Sequence, residues 1–221
     1  MKDSDCLRYK LDVFFMKHHH IYLKKHEHLL QPYQNINYVY YLYQGSIRQY
    51  SISKNGNELT LVVFNTGTIL FFLQLLDCKN ATSKYFYQAL TPCKIYVATL
   101  EETCSFLRQN TQILIDFMQR LGRGLEGFLT QIESIALGNA DEKLATLLLT
   151  LSQRFGQKIE RGTLISLPLT HYDLSCMVGT SRETASTVLK KMERAGIIFR
   201  RKKQTVITNP SKLEELALSH T

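Results

Sequence analysis

The chain has 221 residues, 44% of them hydrophobic, enough to bury the core of one large domain or two modest ones. With 27 Lys/Arg against 19 Asp/Glu, a net charge of +8 and a pI near 9.2, it favours a polyanionic partner, either nucleic acid or a charged membrane surface. No apolar run approaches the ~18–20 residues of a membrane-spanning helix; of the two polyanions, DNA is the expected partner and a membrane is not.

Residues 1–13 lack the uninterrupted apolar core of a secretory signal, and Asp3, Asp5 and Asp12 interrupt any transit-peptide pattern. The protein is therefore expected to work where it is made. Abundant Tyr, Asn, Lys, Ile and Phe without Trp suit an AT-rich genome such as a plastid's. That points to the chloroplast stroma for a plastid gene, and otherwise to a bacterial cytoplasm. The five cysteines (6, 78, 93, 104, 176) form no C-x-x-C pair and read as reduced, mostly buried thiols. His18-His19-His20 and His26-x-His28 suggest a metal site, but no Cys, Asp or Glu cluster completes a ligand set, and Lys17, Lys24 and Lys25 would repel a cation. Surface histidines are the better reading, and no metal is expected.

From residue 36 to 97 the pattern is strand-like. Strands are expected over 38–43, 47–52, 59–64, 85–90 and 94–98, with Lys54-Asn55-Gly56-Asn57 as a hairpin turn. Many short strands with Gly and Asn punctuation imply a small antiparallel barrel or roll. Next, Leu114, Met118, Leu121, Leu125, Phe128, Ile132 and Ile135 recur at 4-3 spacing, the seam of a long helix. Either the seam packs on the protein's own strands or it pairs with a second copy. Gly138-Asn139 breaks the pattern before Asp141 and reads as a hinge. The expected division is 1–109, a strand-rich domain; 110–137, the long helix; and 138–221, a C-terminal domain.

That last domain opens with an apolar helix over 143–155 and a short strand over 164–167, stopped by Pro168. Residues 170–195 then divide into two helices around Val178-Gly179-Thr180, Gly179 providing the tight turn. Thr180 and Glu183 have the spacing of a capping box for the second helix, and Gly196 suits its left-handed end. Ala185, Val188, Leu189 and Met192 form an inward stripe, leaving Arg182, Glu183, Ser186, Thr187 and Lys190 on the other side. An ordinary amphipathic helix would also fit. However, residues 170–205 hold eight Lys/Arg (182, 190, 191, 194, 200, 201, 202, 203) and three acids (173, 183, 193), a net of +5. Basic charge around short or forked polar side chains is what a helix needs to enter the major groove of duplex DNA. Strands at 197–200 and 205–208 flank Arg201-Lys202-Lys203-Gln204, a basic wing for phosphates, and a helix closes the chain over 210–218. No Ser/His/Asp set, paired carboxylates, P-loop or metal framework suggests an enzyme.

Gly179-Thr180-Ser181-Arg182-Glu183-Thr184, with Leu189, Glu193 and Gly196-Ile197-Ile198, closely resembles the helix-turn-helix of the cyclic-AMP receptor / fumarate-nitrate regulator (CRP/FNR) superfamily. Within it, the chain looks most like the nitrogen-regulator branch of cyanobacteria and red algal plastids. The resemblance implies an α+β fold: an antiparallel β-roll, a long dimerisation helix and a winged helix-turn-helix. It also implies a homodimeric activator that binds double-stranded DNA and contacts RNA polymerase. Arg182 becomes the candidate for a bidentate guanine contact and Glu183 for accepting from cytosine. Thr180 and Ser181 lie in the matching motif and Ser186 at a further contact position. Thr187 replaces an Arg frequent in relatives, while Lys190, Arg201, Lys202 and Lys203 suit phosphates.

Relatives that bind cyclic nucleotides use a Gly-Glu-Leu segment and a following Arg. Here Gly67-Thr68-Ile69-Leu70 lacks the Glu, and no Arg lies between Arg48 and Arg108, so cyclic AMP is not expected. The nitrogen branch senses 2-oxoglutarate through the same segment, a nearby Arg and the long helix. The corresponding residues here are Phe71 in place of a Gly, then Phe72 and Leu73, Lys84 beside the Arg position, and Arg123. These hold the effector, or Phe71 and Phe72 fill a pocket that binds nothing.

Overall fold

Alternating apolar and polar residues between 19 and 98 become two antiparallel sheets in a computed structural model that describes residues 3–77 and 81–217. The strands are β1 (His19–Leu23), β2 (His28–Leu30), β3 (Val39–Gln44), β4 (Ile47–Ile52), β5 (Glu58–Phe64), β6 (Thr68–Leu70), β7 (Phe86–Ala89) and β8 (Cys93–Ala98). One sheet runs β1-β8-β3-β6 and the other β2-β7-β4-β5, the topology of a roll. Their inward residues, among them Val39, Tyr41, Ile47 and Ile95, form the core. At the 53–57 turn Gly56 takes φ +81°, and the Ser53 N–H donates to the Asn57 carbonyl. Residues 1–51 with 61–122 form one compact unit, and residues 52–60 with 123–221 form another.

The strand pattern hides three helices in the first unit. Residues 3–15, read above only for charge, form α1 (Asp3–Phe15). Leu7, Leu11, Phe14 and Phe15 at i, i+4, i+7 and i+8 pack on the roll, and Phe15 stacks on Tyr41 at 4.6 Å. The Tyr41 hydroxyl donates to Asp12 at 2.6 Å, and burial first, then that bond, raises its pKa. A short α2 (Phe72–Asp77) interrupts the strands, and α3 (Leu100–Gln109) starts at a Thr99/Glu102 capping box. The hydrogen bonds from Thr99 lower the pKa of Glu102. Cys93 and Cys176 are buried and Cys104 half-buried, all free thiols; burial raises Cys93 to about 11. The Cys78 position and the Cys6 side chain lie outside the described residues.

The long helix, α4 (Thr111–Leu137), begins on the roll, where Ile113 is buried, and residues 123–137 belong to the second unit. Asn139 then caps α5 (Ala140–Phe155): its side chain accepts from the Asp141 and Glu142 N–H groups, and Glu142 accepts back from the Asn139 N–H at 2.8 Å. This box explains why the apolar pattern restarts after Gly138. After α5 come β9 (Gly156–Ile159), β10 (Gly162–Ile165), α6 (His171–Val178), α7 (Arg182–Arg194), β11 (Ile198–Arg201), β12 (Gln204–Ile207) and α8 (Pro210–Ala217). The four strands make a sheet in the order β11-β12-β10-β9. The β9 strand is exposed throughout, which is why its sequence carries no apolar alternation.

Replacing the cap should loosen this unit. Asn139→Ala is expected to lower the free energy of unfolding by ~1 kcal/mol in urea titration, and Asn139→Asp should leave it nearly unchanged.

Candidate nucleic-acid interface

The interface is built by α6, α7 and the β11–β12 turn. Thr170 caps α6 through a box with Asp173, its side chain accepting from the Asp173 N–H at 3.1 Å. Gly179 ends that helix in the left-handed region (φ +68°), and the Thr180 N–H returns to the Ser175 carbonyl at 3.1 Å. That return corrects the expected capping box. Thr180 closes the end of α6, so the cap of α7 falls one residue later, on Ser181. Its hydroxyl accepts from the Thr184 N–H at 3.0 Å, and no reciprocal bond from Glu183 is formed. Glu183 is thereby left exposed, with its side chain available to a partner. At the other end Gly196 takes φ +69° as expected, and the Ile197 N–H bonds the Met192 carbonyl.

Ala185, Val188, Leu189 and Met192 are all buried. Ser181, Arg182, Glu183, Thr187 and Lys190 are exposed, and Thr180 and Ser186 are half-buried. Ser186 is already engaged: its Oγ lies 3.0 Å from Nδ1 of His171, a residue the sequence reading did not single out. Arg201 and Gln204 face each other at the end of the β11–β12 ladder, with Lys202 at the turn in left-handed backbone (φ +57°) and Lys203 beside it. All three basic residues are exposed. A cavity of about 360 Å³ lies among Thr170, His171, Arg182, Arg200, Lys202 and Lys203. Arg200 donates from Nη2 to the Leu169 carbonyl at 2.8 Å, and burial lowers its pKa. The start of α6, the first turn of α7 and the β11–β12 hairpin thus form one cationic concavity.

The residues suggested for an effector have mixed fates. Phe71 is 3% exposed and sits in left-handed backbone (φ +65°), at the position where the resemblance implies Gly. Its ring meets Tyr40 at 5.5 Å and Tyr87 at 4.7 Å, both edge to face. Burial raises the Tyr87 hydroxyl to about 12, as an apolar surround requires. Phe72 is buried against Phe117 of α4 at 5.5 Å. Leu73, Lys84 and Arg123 are exposed, and Lys84 and Arg123 belong to different units. The backbone strain costs ~1–2 kcal/mol. Burying a Phe side chain contributes ~1.5–3 kcal/mol, so packing outweighs it.

The helical seam is open. Met118 is 56% exposed, Leu125 62% and Ile132 62%; Leu121 and Phe128 are exposed as well, with Leu114 and Ile135 half-buried. Among the described residues no helix is long and apolar enough to cross a membrane, and no group of three His, Cys, Asp or Glu residues is placed to hold a metal.

Residues 142–216 match the Crp-like helix-turn-helix domain and residues 20–110 the cyclic nucleotide-binding domain. The global nitrogen regulator of Synechocystis sp. is 24% identical over 177 residues, covering 80% of this chain and 79% of that protein. The cAMP-activated global transcriptional regulator CRP of Pasteurella multocida is 24% identical over 195 residues, 88% of this chain and 92% of that one. Among solved structures, a CooA variant from Carboxydothermus hydrogenoformans superposes with a TM-score of 0.76 at 22% identity, covering 92% of this chain and 89% of its own. At that identity it speaks for the fold.

The packing of Phe71 can be weighed directly. Phe71→Gly relieves the strained backbone but forfeits the ~3–5 kcal/mol of a truncated core aromatic, so a net loss of about 1–4 kcal/mol is expected in denaturant unfolding. A stabilised variant would mean that the ring fills nothing.

Proposed function

We propose that this chain, which belongs to the CRP/FNR family of transcription regulators, is a homodimeric, sequence-specific activator of nitrogen-responsive genes. DNA binding and transcription regulation come with the family. The observation that carries the finer reading is α7: one face is sealed in the core while Arg182, Glu183 and Thr187 stand exposed over its first turns, beside a basic wing. Arg182 is the guanine reader, Glu183 the cytosine reader, and Lys190, Arg201, Lys202 and Lys203 set affinity through phosphates. The likeness to global nitrogen regulators, 24% identical in both Synechocystis and Nostoc, supports nitrogen-responsive targets.

Pairing meets a geometric need. One recognition helix covers only a few base pairs, so two must sit ~34 Å apart, one turn of duplex, on a near-palindrome. The exposed seam of α4 supports a parallel pairing of two copies. Functionally the chain divides into a sensory roll (1–109), a dimerisation helix (110–137) and a DNA-binding domain (138–221). RNA polymerase is the partner an activator requires. The compartment is that of its synthesis, the stroma for a plastid gene or otherwise a bacterial cytoplasm.

Control admits two modes, and Phe71 favours the one without a small effector, because its ring occupies the interior beside Tyr40 and Tyr87. The competing mode is 2-oxoglutarate held by Lys84 and Arg123 as point charges. Isothermal titration separates them. Absence of heat with 2-oxoglutarate, with and without a selected duplex, is the expected result, and saturable heat would install the effector.

Two variants test the DNA reading. Arg182→Ala is expected to cost ~1–3 kcal/mol at a duplex selected from random DNA and much less on a scrambled one; equal losses on both reduce Arg182 to a phosphate contact. Leu125→Lys should turn the pair into single chains in sedimentation and weaken specific binding at least tenfold. A wild-type chain that is single at micromolar concentration removes the dimer.

A further inference from the structure

His171 stands where three elements meet. It opens α6, touches Ser186 of α7, and lines the cationic cavity shared with Arg200 of β11 and with Lys202 and Lys203 of the wing turn. From α7, Arg182, Lys190 and Glu193 bear on it electrostatically, and from β11 Arg200 does so. Asp173, on its own helix, is turned away onto the Thr170 hydroxyl and N–H. Glu193 accepts the Arg200 backbone N–H at 3.0 Å. The guanidinium of Arg200 keeps Nε and Nη1 withdrawn from solvent without a protein acceptor. Such a cluster of positive charge around an imidazole, open on one side, fits an oxyanion of phosphate type.

Resting on the DNA-binding reading above, we propose that His171 is a proton-controlled positioning residue that couples a backbone phosphate of the DNA to the hydrogen-bond polarity of Ser186 on the recognition helix. In the neutral ring with Nδ1 unprotonated, the Ser186 hydroxyl donates to Nδ1 and offers only lone pairs to a base edge. In the imidazolium both ring nitrogens carry protons. Nδ1–H then donates to the Ser186 oxygen, whose own hydrogen is freed to donate to a base acceptor, and the ring's positive charge faces the phosphate. One proton taken from solvent therefore changes what the helix reads.

Burial first, then the neighbouring Arg200, hold the ring below the ordinary imidazole value; Glu193 opposes them, and Arg182 and Lys190 add smaller lowering effects. The ring of the free protein therefore takes up its proton at a lower pH than an ordinary imidazole. A phosphate entering the cavity offsets those cations and raises the ring's pKa, so binding takes up a proton. The added affinity is fully present below the free-protein pKa and is lost as pH rises through the higher, DNA-bound pKa.

The test is fluorescence anisotropy of the full chain on a selected duplex from about pH 8 to about pH 5.5 at constant ionic strength. For each unit by which DNA raises the ring's pKa, affinity should rise about tenfold per protomer across that window. His171→Asn, which keeps a polar nitrogen near the Nδ1 position but cannot gain the proton, should bind the selected duplex more weakly than wild type at low pH, with a nearly flat profile. Ser186→Ala should keep the pH slope but lose the pH dependence of discrimination between selected and base-substituted duplexes. Ring proton shifts of His171 give a reading independent of mutants: its pKa should rise on adding duplex. If inorganic phosphate alone raises it and competes with duplex, the site is a general phosphate site; if only duplex does, it is specific to the DNA backbone.

Equal pH slopes in wild type and His171→Asn, or an unchanged ring pKa on binding, overturn the proposal while leaving sequence-specific binding intact. Failure to prefer any selected duplex at any pH overturns the DNA reading beneath it.

Discussion

Burial of a narrow apolar stripe on α7 is the constraint from which the C-terminal unit follows. Ala185, Val188, Leu189 and Met192 have no exposed alternative once α5 and α6 pack against them. A helix so clamped can present only its opposite face, and in this chain that face begins with Arg182 and Glu183. The clamp also fixes where the wing stands, because the left-handed Gly196 sends the chain directly into β11. Under the proposed function, the side chains that would read bases sit on a rigid helix, whereas most of the charge that would meet phosphates sits on an exposed turn.

The N-terminal unit obeys a different balance. Its roll is held by aromatic packing to a degree that leaves little interior for a polar guest: Phe71 between Tyr40 and Tyr87, Phe72 on Phe117, Phe15 on Tyr41. A bulky residue in left-handed backbone is tolerated at Phe71 because the ring's burial outweighs the strain. The same side chain that stabilises the roll occupies the interior beside Tyr40 and Tyr87, the observation behind the effector-independent mode proposed above.

Charge connects the two themes. The excess of Lys and Arg is concentrated around the helix-turn-helix, where burial lowers the pKa of Arg200, and burial and then the Arg200 charge lower that of His171. An oxyanion beside these half-buried cationic groups would favour their charged forms.

Most of the DNA-binding half was legible in the residue order, because its signals are local. A stripe at helical spacing, Gly179 and Gly196 at two helix ends, and a run of basic residues in a turn each act within a few positions. The cap of α7 was misplaced by one residue because Thr180 and Ser181 are chemically equivalent candidates, and only the closure of α6 onto the Thr180 N–H separates them. Three features depended on contacts distant in sequence. The α1 helix is stabilised by strands far along the chain. The fate of Phe71 turns on whether the roll closes over it. The cavity between His171 and Arg200, with Ser186 hydrogen-bonded to His171 beside it, joins residues distant in the chain, from three elements. Periodicity and turn chemistry are properties of neighbours along the chain, and they carry no information about which buried side chains, brought together from afar, share a dielectric.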